Sequence, residues 1–375
     1  RAEFVNKPTK LERLIRNERI NAMEFSEEGR MYYLSSWRYE KKRWALEDYY
    51  RFKVLVLNNK NIYQALKDTE ESGELYSMFP ELEEIKYITY PKDGDGLTVI
   101  EHTFLCLSNL QMLEDASNAL RDRDEGAFER IFAEYKRISG ERLAHLHIDM
   151  FRELVKIYRE STKTDEDKTL LWLLMLLHDI GKSVSWPEHL PMGAKLIKSI
   201  LEQYGLSEDR VKLGEALIGY HGFFGELTLG EMTISTLRRI MDKFEANEQQ
   251  LFLNMLAMIN ISDIKGIGRD GKLSVRKLDT IFRAVSDVVD GQKFTDARHE
   301  SPFTRLKVWT NREDSGRFGR IESMINSELN QEEVRTLLSY LEEMEVQYGY
   351  GVFSRLSDQG LVNSVYLLSH ICKLS

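Results

Sequence analysis

The sequence predicts an all-α protein, and three observations carry the prediction. Apolar residues recur at helical spacing through most of the chain. Proline is scarce, with 6 in 375 residues, so little interrupts a helical backbone. No series of alternating apolar and polar residues of strand length stands out, apart from a short strand expected near Lys53 to Leu57.

In chain order, residues 1–96 read as a charged, aromatic-rich helical region. It closes on the turn cluster Tyr90-Pro91-Lys92-Asp93-Gly94-Asp95-Gly96. Residues 97–275 form a second region that holds most of the histidines. Its first helix begins near Thr98, with Leu105, Leu107 and Leu110 along it. Arg121 to Lys168 is densely charged and reads as inserted surface helices. The run Leu170 to Leu177 is wholly apolar and predicts a buried helix. Ala194, Ile197, Ile200, Leu201 and Tyr204 stripe one face of another helix, which Gly205 ends. Residues 276–375 are helical again, with a polar loop at Asn311 to Arg317. Asn330 and Glu333 form a capping-box start, followed by the stripe Val334, Leu337, Leu338, Leu341 and Met344.

The bulk composition bounds the function. Apolar residues make up 42% of the chain, enough for a sizeable core without staples. The net charge of −9 argues against general binding to nucleic acid or acidic membranes, which would want a basic face. It leaves room for a phosphate-containing substrate, because a bound cation can supply local positive charge. Two cysteines, Cys106 and Cys372, make no disulfide framework and point to a reducing, cytoplasmic setting. The run Leu170 to Leu177 is far shorter than the roughly 20 residues a membrane span needs.

The chemistry concentrates at Leu176-Leu177-His178-Asp179-Ile180-Gly181-Lys182. An apolar helix ends there in an imidazole beside a carboxylate. A buried, unpaired Asp is costly, and a divalent cation would neutralise it and fix the imidazole. The alternative is a helix end capped at the surface with an ordinary His-Asp pair. His102 and Asp263 weigh against that alternative, because each is a ligand-type residue set in an apolar helix. A shared metal explains several such residues more simply than separate core hydrogen bonds.

With these residues in place, the chain resembles the HD superfamily of metal-dependent phosphohydrolases. The family's order is a His, a His-Asp doublet and a later Asp, and it falls on His102, His178-Asp179 and Asp263. Two-metal members add two histidines before the last Asp, where His189 and His221 stand. His189 precedes Gly193-Ala194 as in the family's common His-x-x-x-Gly-Ala segment. Within the superfamily the chain most resembles the HD domain of the bifunctional enzymes that uridylylate and de-uridylylate the PII protein. That likeness runs from Ser72-Gly73-Glu74-Leu75 and Phe79-Pro80-Glu81 to Ser262-Asp263-Ile264-Lys265-Gly266-Ile267-Gly268.

The resemblance implies an HD-type helical bundle flanked by additional N- and C-terminal helical regions. It implies one divalent ion on His102, His178, Asp179 and Asp263, and a second on His189 and His221 with Asp179 bridging. Iron, manganese, zinc, magnesium and cobalt are not distinguished by it. The implied reaction is cleavage of a phosphomonoester or phosphodiester in a nucleotide, cyclic nucleotide or nucleotidylated protein, by a metal-activated hydroxide. Asp179 would orient that hydroxide, and Lys182 would meet the phosphate, with Arg238, Arg239 and Lys265 as further candidates for it. The alternative is a non-catalytic HD-like signalling module that binds a nucleotide or protein partner. The terminal helical regions are candidate surfaces for a partner or for self-association.

Other signals carry less. Gly266-Ile267-Gly268-Arg269-Asp270-Gly271 matches a dinucleotide fingerprint by letter, but follows a helix rather than a strand, so it reads as a loop. Asp93-Gly94-Asp95-Gly96 lacks the closing Glu of a calcium loop. His145 and His147 read as surface residues, and Cys106 as a core residue. His299 and His370 have no ligand-type neighbours at useful spacing.

Overall fold

The structure, a computed structural model, describes residues 46–90, 96–229, 234–267 and 273–289. Among them every regular element is helical, and the only β-type pairing is an isolated antiparallel bridge between Thr89 and Thr98.

Helix α1 covers 46–58, where a short strand near Lys53 was expected. Phe52 and Val56, four residues apart, are both wholly buried, so the segment is an amphipathic helix. The run from Val54 to Leu57 is too short for periodicity alone to separate the two states. Helices α2 (Ile62–Glu71), α3 (Glu74–Met78) and α4 (Glu81–Ile85) follow. Their buried faces join the same core as the rest of the described chain, so residues 46–90 are not a separate layer.

Helix α5 (Val99–Arg121) begins with a capping box. The Thr98 hydroxyl accepts from the Glu101 amide, and the Glu101 carboxylate accepts from the Thr98 amide. Just before it, Tyr90 N donates to Leu97 O at 2.8 Å and Val99 N to Ile88 O at 2.8 Å. This short pairing fixes Tyr90 beside the start of α5.

Helices α6 (Glu125–Ile138) and α7 (Ile148–Ser161) fill the charged stretch expected to be a surface insert. They are not peripheral. Phe128 and Tyr135 on α6, and Phe151, Leu154, Val155 and Tyr158 on α7, are buried. Their charges sit on the outward faces, and a composition averaged over the stretch hides the apolar stripes.

Helix α8 (Asp165–Leu177) starts at a second capping box, Thr164 with Asp167, and every residue from Thr169 to Leu177 is buried. Trp172 Nε1 donates to Tyr158 Oη at 3.2 Å, and that hydroxyl donates to Glu114 Oε2 at 2.9 Å. Lys168 holds the other Glu114 oxygen at 2.6 Å. The network ties α8 to α5 and α7.

Beyond a 3-10 turn at Ile180–Ser183, α9 (His189–Gln203) and α10 (Glu208–Gly219) form a helical hairpin. It turns at Gly205, whose φ of +71° suits glycine and matches the stop expected there. Then come α11 (Phe223–Leu229), α12 (Ile234–Met241), α13 (Ala246–Gly266) and α14 (Val275–Val289). Helix α13 is central, packing on α5, α7, α8, α11, α12 and α14. The helix expected after Asn330, the Asp93-Gly94-Asp95 segment, His299 and His370 lie outside the described residues. No helix among the described residues is long and apolar enough to cross a membrane.

Candidate metal centre

The apolar helix α8 delivers His178 in helical conformation at its C-cap, and Asp179 leaves the helix at φ −97°. The next turn then approaches α9 so closely that Gly181 has no room for a side chain. A Cβ on Gly181 would fall 1.9 Å from His189 O and 2.5 Å from Gly193 N. The bare backbone of Gly181 therefore lets the doublet and His189 share one site.

Four imidazoles are held alike. His102 Nδ1 lies 3.1 Å from Gly266 O, His178 Nδ1 2.8 Å from Met175 O, His189 Nδ1 2.9 Å from Trp186 O, and His221 Nδ1 2.8 Å from Ile218 O. A carbonyl only accepts, so each Nδ1 carries a proton and Nε2 is left for another partner. All four Nε2 atoms point at the two carboxylates. His102 Nε2 is 2.9 Å from Asp263 Oδ1, and His178 Nε2 is 3.7 Å from the same oxygen.

Asp179 stands between two groups of rings. Its Oδ2 faces His102 at 3.7 Å and His178 at 3.4 Å. Its Oδ1 faces His189 at 3.9 Å and His221 at 3.7 Å. Lys182 Nζ and the Tyr90 hydroxyl both donate to Oδ2. Tyr90 also packs against His102 and Trp186.

The field at the centre favours positive charge. Burial would push the Asp179 carboxyl up, but the Lys182 ammonium and the surrounding imidazoles hold it well below the usual range. Burial opposes ionisation of Asp263 too, yet hydrogen bonds from His102 and His178 keep its carboxyl far below the ordinary carboxylate value. Burial presses His189 down to about 4, which keeps it neutral. The donor set fits a divalent cation. The Nε2 atoms of His102 and His178 face each other at 3.2 Å while both Nδ1 protons are spent on carbonyls. Two nitrogens at that distance need either a shared proton or a cation between them.

His102, His178, Asp179, His189, His221 and Asp263 thus converge from helices α5, α8, α9 and α13 and from the turns after α8 and α10. Lys182 is there as well, only 8% exposed and paired with Asp179. Lys265 is not brought to the site. It is two residues from Asp263 on α13 and so faces away. Its ammonium donates to Asn109 Oδ1 at 2.6 Å and lies over the Tyr135 ring, and burial brings it down to about 8. Arg238 and Arg239 are half-buried on α12, which packs on α13 and α14. His145 and His147 are exposed.

Two residues at the centre were not singled out from the sequence. Tyr90 looked like part of a turn cluster, and nothing local marks its reach to Asp179. Cys106 looked like core, yet its sulfur joins His102, His178 and Asp263 within 4.8 Å of one another. The i, i+4 spacing from His102 was the available signal.

Residues 131–247 match the family model of the HD domain. That segment holds His178, Asp179, Lys182, His189 and His221, while His102 and Asp263 flank it. Two bifunctional uridylyltransferase/uridylyl-removing enzymes are similar to the chain over 217 residues. One, from Ruegeria pomeroyi, is 25% identical, and the other, from Cereibacter sphaeroides, is 24% identical. The aligned stretch is 58% of this chain and 20% of each relative, so the chain spans about a fifth of their length. From the helical fold, the His-Asp doublet at the end of a buried helix and the family match, this chain carries an HD domain.

Proposed function

We propose that the chain is a metal-dependent phosphohydrolase that cleaves a phosphomonoester or phosphodiester in a nucleotide, a cyclic nucleotide or a nucleotidylated protein. The observation that carries this reading is the common orientation of the four imidazoles. Each Nδ1 is tied to a backbone carbonyl, and each Nε2 is turned toward Asp179 or Asp263. That is how metal-binding histidines are fixed by their outer partners. One ion would be held by His102, His178, Asp179 and Asp263, and a second by His189 and His221, with Asp179 facing both groups of rings.

A divalent cation held there would supply Lewis acidity and offset phosphate charge. The chain's own groups do the rest. Lys182 balances Asp179 and sets one positive charge beside the carboxylate, close to where a phosphate oxygen would lie. Tyr90 and Trp186 hold the Lys182 ammonium in place, with the two rings 4.1 Å and 4.8 Å from Nζ. Arg238 and Arg239 are kept as candidate substrate contacts, and Lys265 is not. A reducing, cytoplasmic setting suits the buried free thiol of Cys106.

The test pairs metal analysis with turnover. The purified chain should carry stoichiometric divalent metal and hydrolyse at least one member of a panel of nucleotides, cyclic nucleotides and uridylylated PII protein. His178→Ala and Asp263→Asn should lose both. Metal-free protein that hydrolyses as fast as the metal-loaded form would overturn the reading. Metal-free protein that binds a nucleotide without turning it over would favour the signalling module.

A further inference from the structure

We propose that Cys106 is a sulfur ligand of the cation assigned to His102, His178, Asp179 and Asp263. That half of the centre would then select a thiophilic divalent ion such as zinc, cobalt or iron(II) over magnesium. The inference rests on the metal-dependent reading above and adds a donor to it.

Four observations support it. First, Cys106 lies one helical turn beyond His102 on α5, so both side chains leave the same face. Its sulfur is 3.5 Å from His102 Nε2 and 4.0 Å from Nδ1, nearer the nitrogen left free for a cation. Second, a sulfur and a nitrogen on one zinc, with Zn–S of about 2.3 Å, Zn–N of about 2.1 Å and an angle near the tetrahedral value, sit about 3.6 Å apart. The sulfur-to-nitrogen distance is close to that edge, and the sulfur, both ring nitrogens and an Asp263 oxygen all fall within 4.8 Å of one another. Third, the backbone makes room for the sulfur. A Cβ on Gly266 would fall 2.6 Å from Cys106 Sγ and 3.2 Å from His102 Cε1. Fourth, charge closes. One thiolate and one carboxylate neutralise a divalent ion in a place where Cys106, His102 and His178 have almost no solvent contact. Lys182 already balances Asp179.

On binding, the S–H bond breaks, its proton leaves to solvent, and the sulfur's electron pair forms the bond to the metal. No oxidant or reductant is needed. Sulfur donors favour softer ions, whereas magnesium takes oxygen donors.

The experiment uses the full chain stripped of metal and refilled with cobalt(II) alone, as wild type, Cys106→Ser and Cys106→Ala. Far-ultraviolet circular dichroism confirms that each variant is folded. Wild type should show visible cobalt bands together with a near-ultraviolet sulfur-to-cobalt charge-transfer band. Both variants should keep the visible bands and lose the charge-transfer band, with zinc affinity lower by roughly tenfold or more, at least what losing an outer partner costs. X-ray absorption of the zinc-loaded wild type should show a sulfur neighbour at about 2.3 Å. Visible bands without a charge-transfer band in wild type would overturn the sulfur ligand and leave the metal centre standing. A charge-transfer band that persists in both variants would overturn it too. Failure of wild type to bind cobalt at all would remove the metal centre itself.

Discussion

Gly181 is the residue at which packing and site geometry are hardest to separate. An added methyl would have to occupy the space of the His189 carbonyl, which belongs to backbone and cannot swing aside. Gly181→Ala is therefore expected to cost about 3 kcal/mol, at the upper end of what overpacking usually costs, and to lower metal content with it. Urea unfolding alongside metal analysis checks this, and an unchanged midpoint would show that α9 has slack. Tyr49 gives a separate prediction away from the centre. Burial, helped by Glu166, pushes its phenol up from 10.0 to about 12. Between those values the unfolded chain gives up the proton first, so stability contributed by the neutral phenol is present below pH 10 and lost as pH rises toward 12. Tyr49→Phe should flatten the fall in stability over that interval, as read from urea midpoints at several alkaline pH values. The ring stack on Tyr204 is retained in the variant.

At the scale of elements, the helix starts explain how sites so far apart in sequence are aimed. The capping boxes at Thr98 and Thr164 begin the two helices that carry His102 and His178. Thr164→Ala should cost about 1 kcal/mol, because an amide at the start of α8 loses its acceptor. Thermal or urea unfolding reads this directly, and an effect near zero would mean that burial of α8 alone sets its start. These elements also show what the sequence made legible. The apolar run from Leu170 to Leu177 and its His-Asp terminus are local, and local patterns survive without coordinates. The stop at Gly205 was readable for the same reason. Helices α6 and α7 were misjudged because charge on outward faces dominates their composition, while Phe128, Phe151 and Tyr158 turn inward. Lys265 turns to Asn109 because helix phase, not neighbourhood in sequence, decides which way a side chain faces. Tyr90 needed the fold, since its partners lie on other elements, and Cys106 needed it to meet His178 and Asp263, although His102 stands one turn away on its own helix.

For the whole molecule, the core is continuous from Phe52 on α1 to Val285 on α14, with the centre set among its helices. A cation that binds only the folded chain adds to stability by mass action, by about 2.7 kcal/mol when its free concentration is a hundred times Kd. Chelation should accordingly lower Tm of the wild type. His178→Ala should have a Tm that no longer responds to chelator or added metal. Equal metal responses in the two proteins would mean that the stabilising ion binds elsewhere.

The ring of His102 leans on the carbonyl of Gly266, 164 residues later in the chain. A ribosome adding roughly 5–20 residues each second takes something like ten to thirty seconds to cover that distance. Throughout that interval the first imidazole exists without the backbone group that orients it. The centre is therefore complete only once α13 has been made, and any ion captured by the nascent chain before α13 emerges meets an incomplete set of donors.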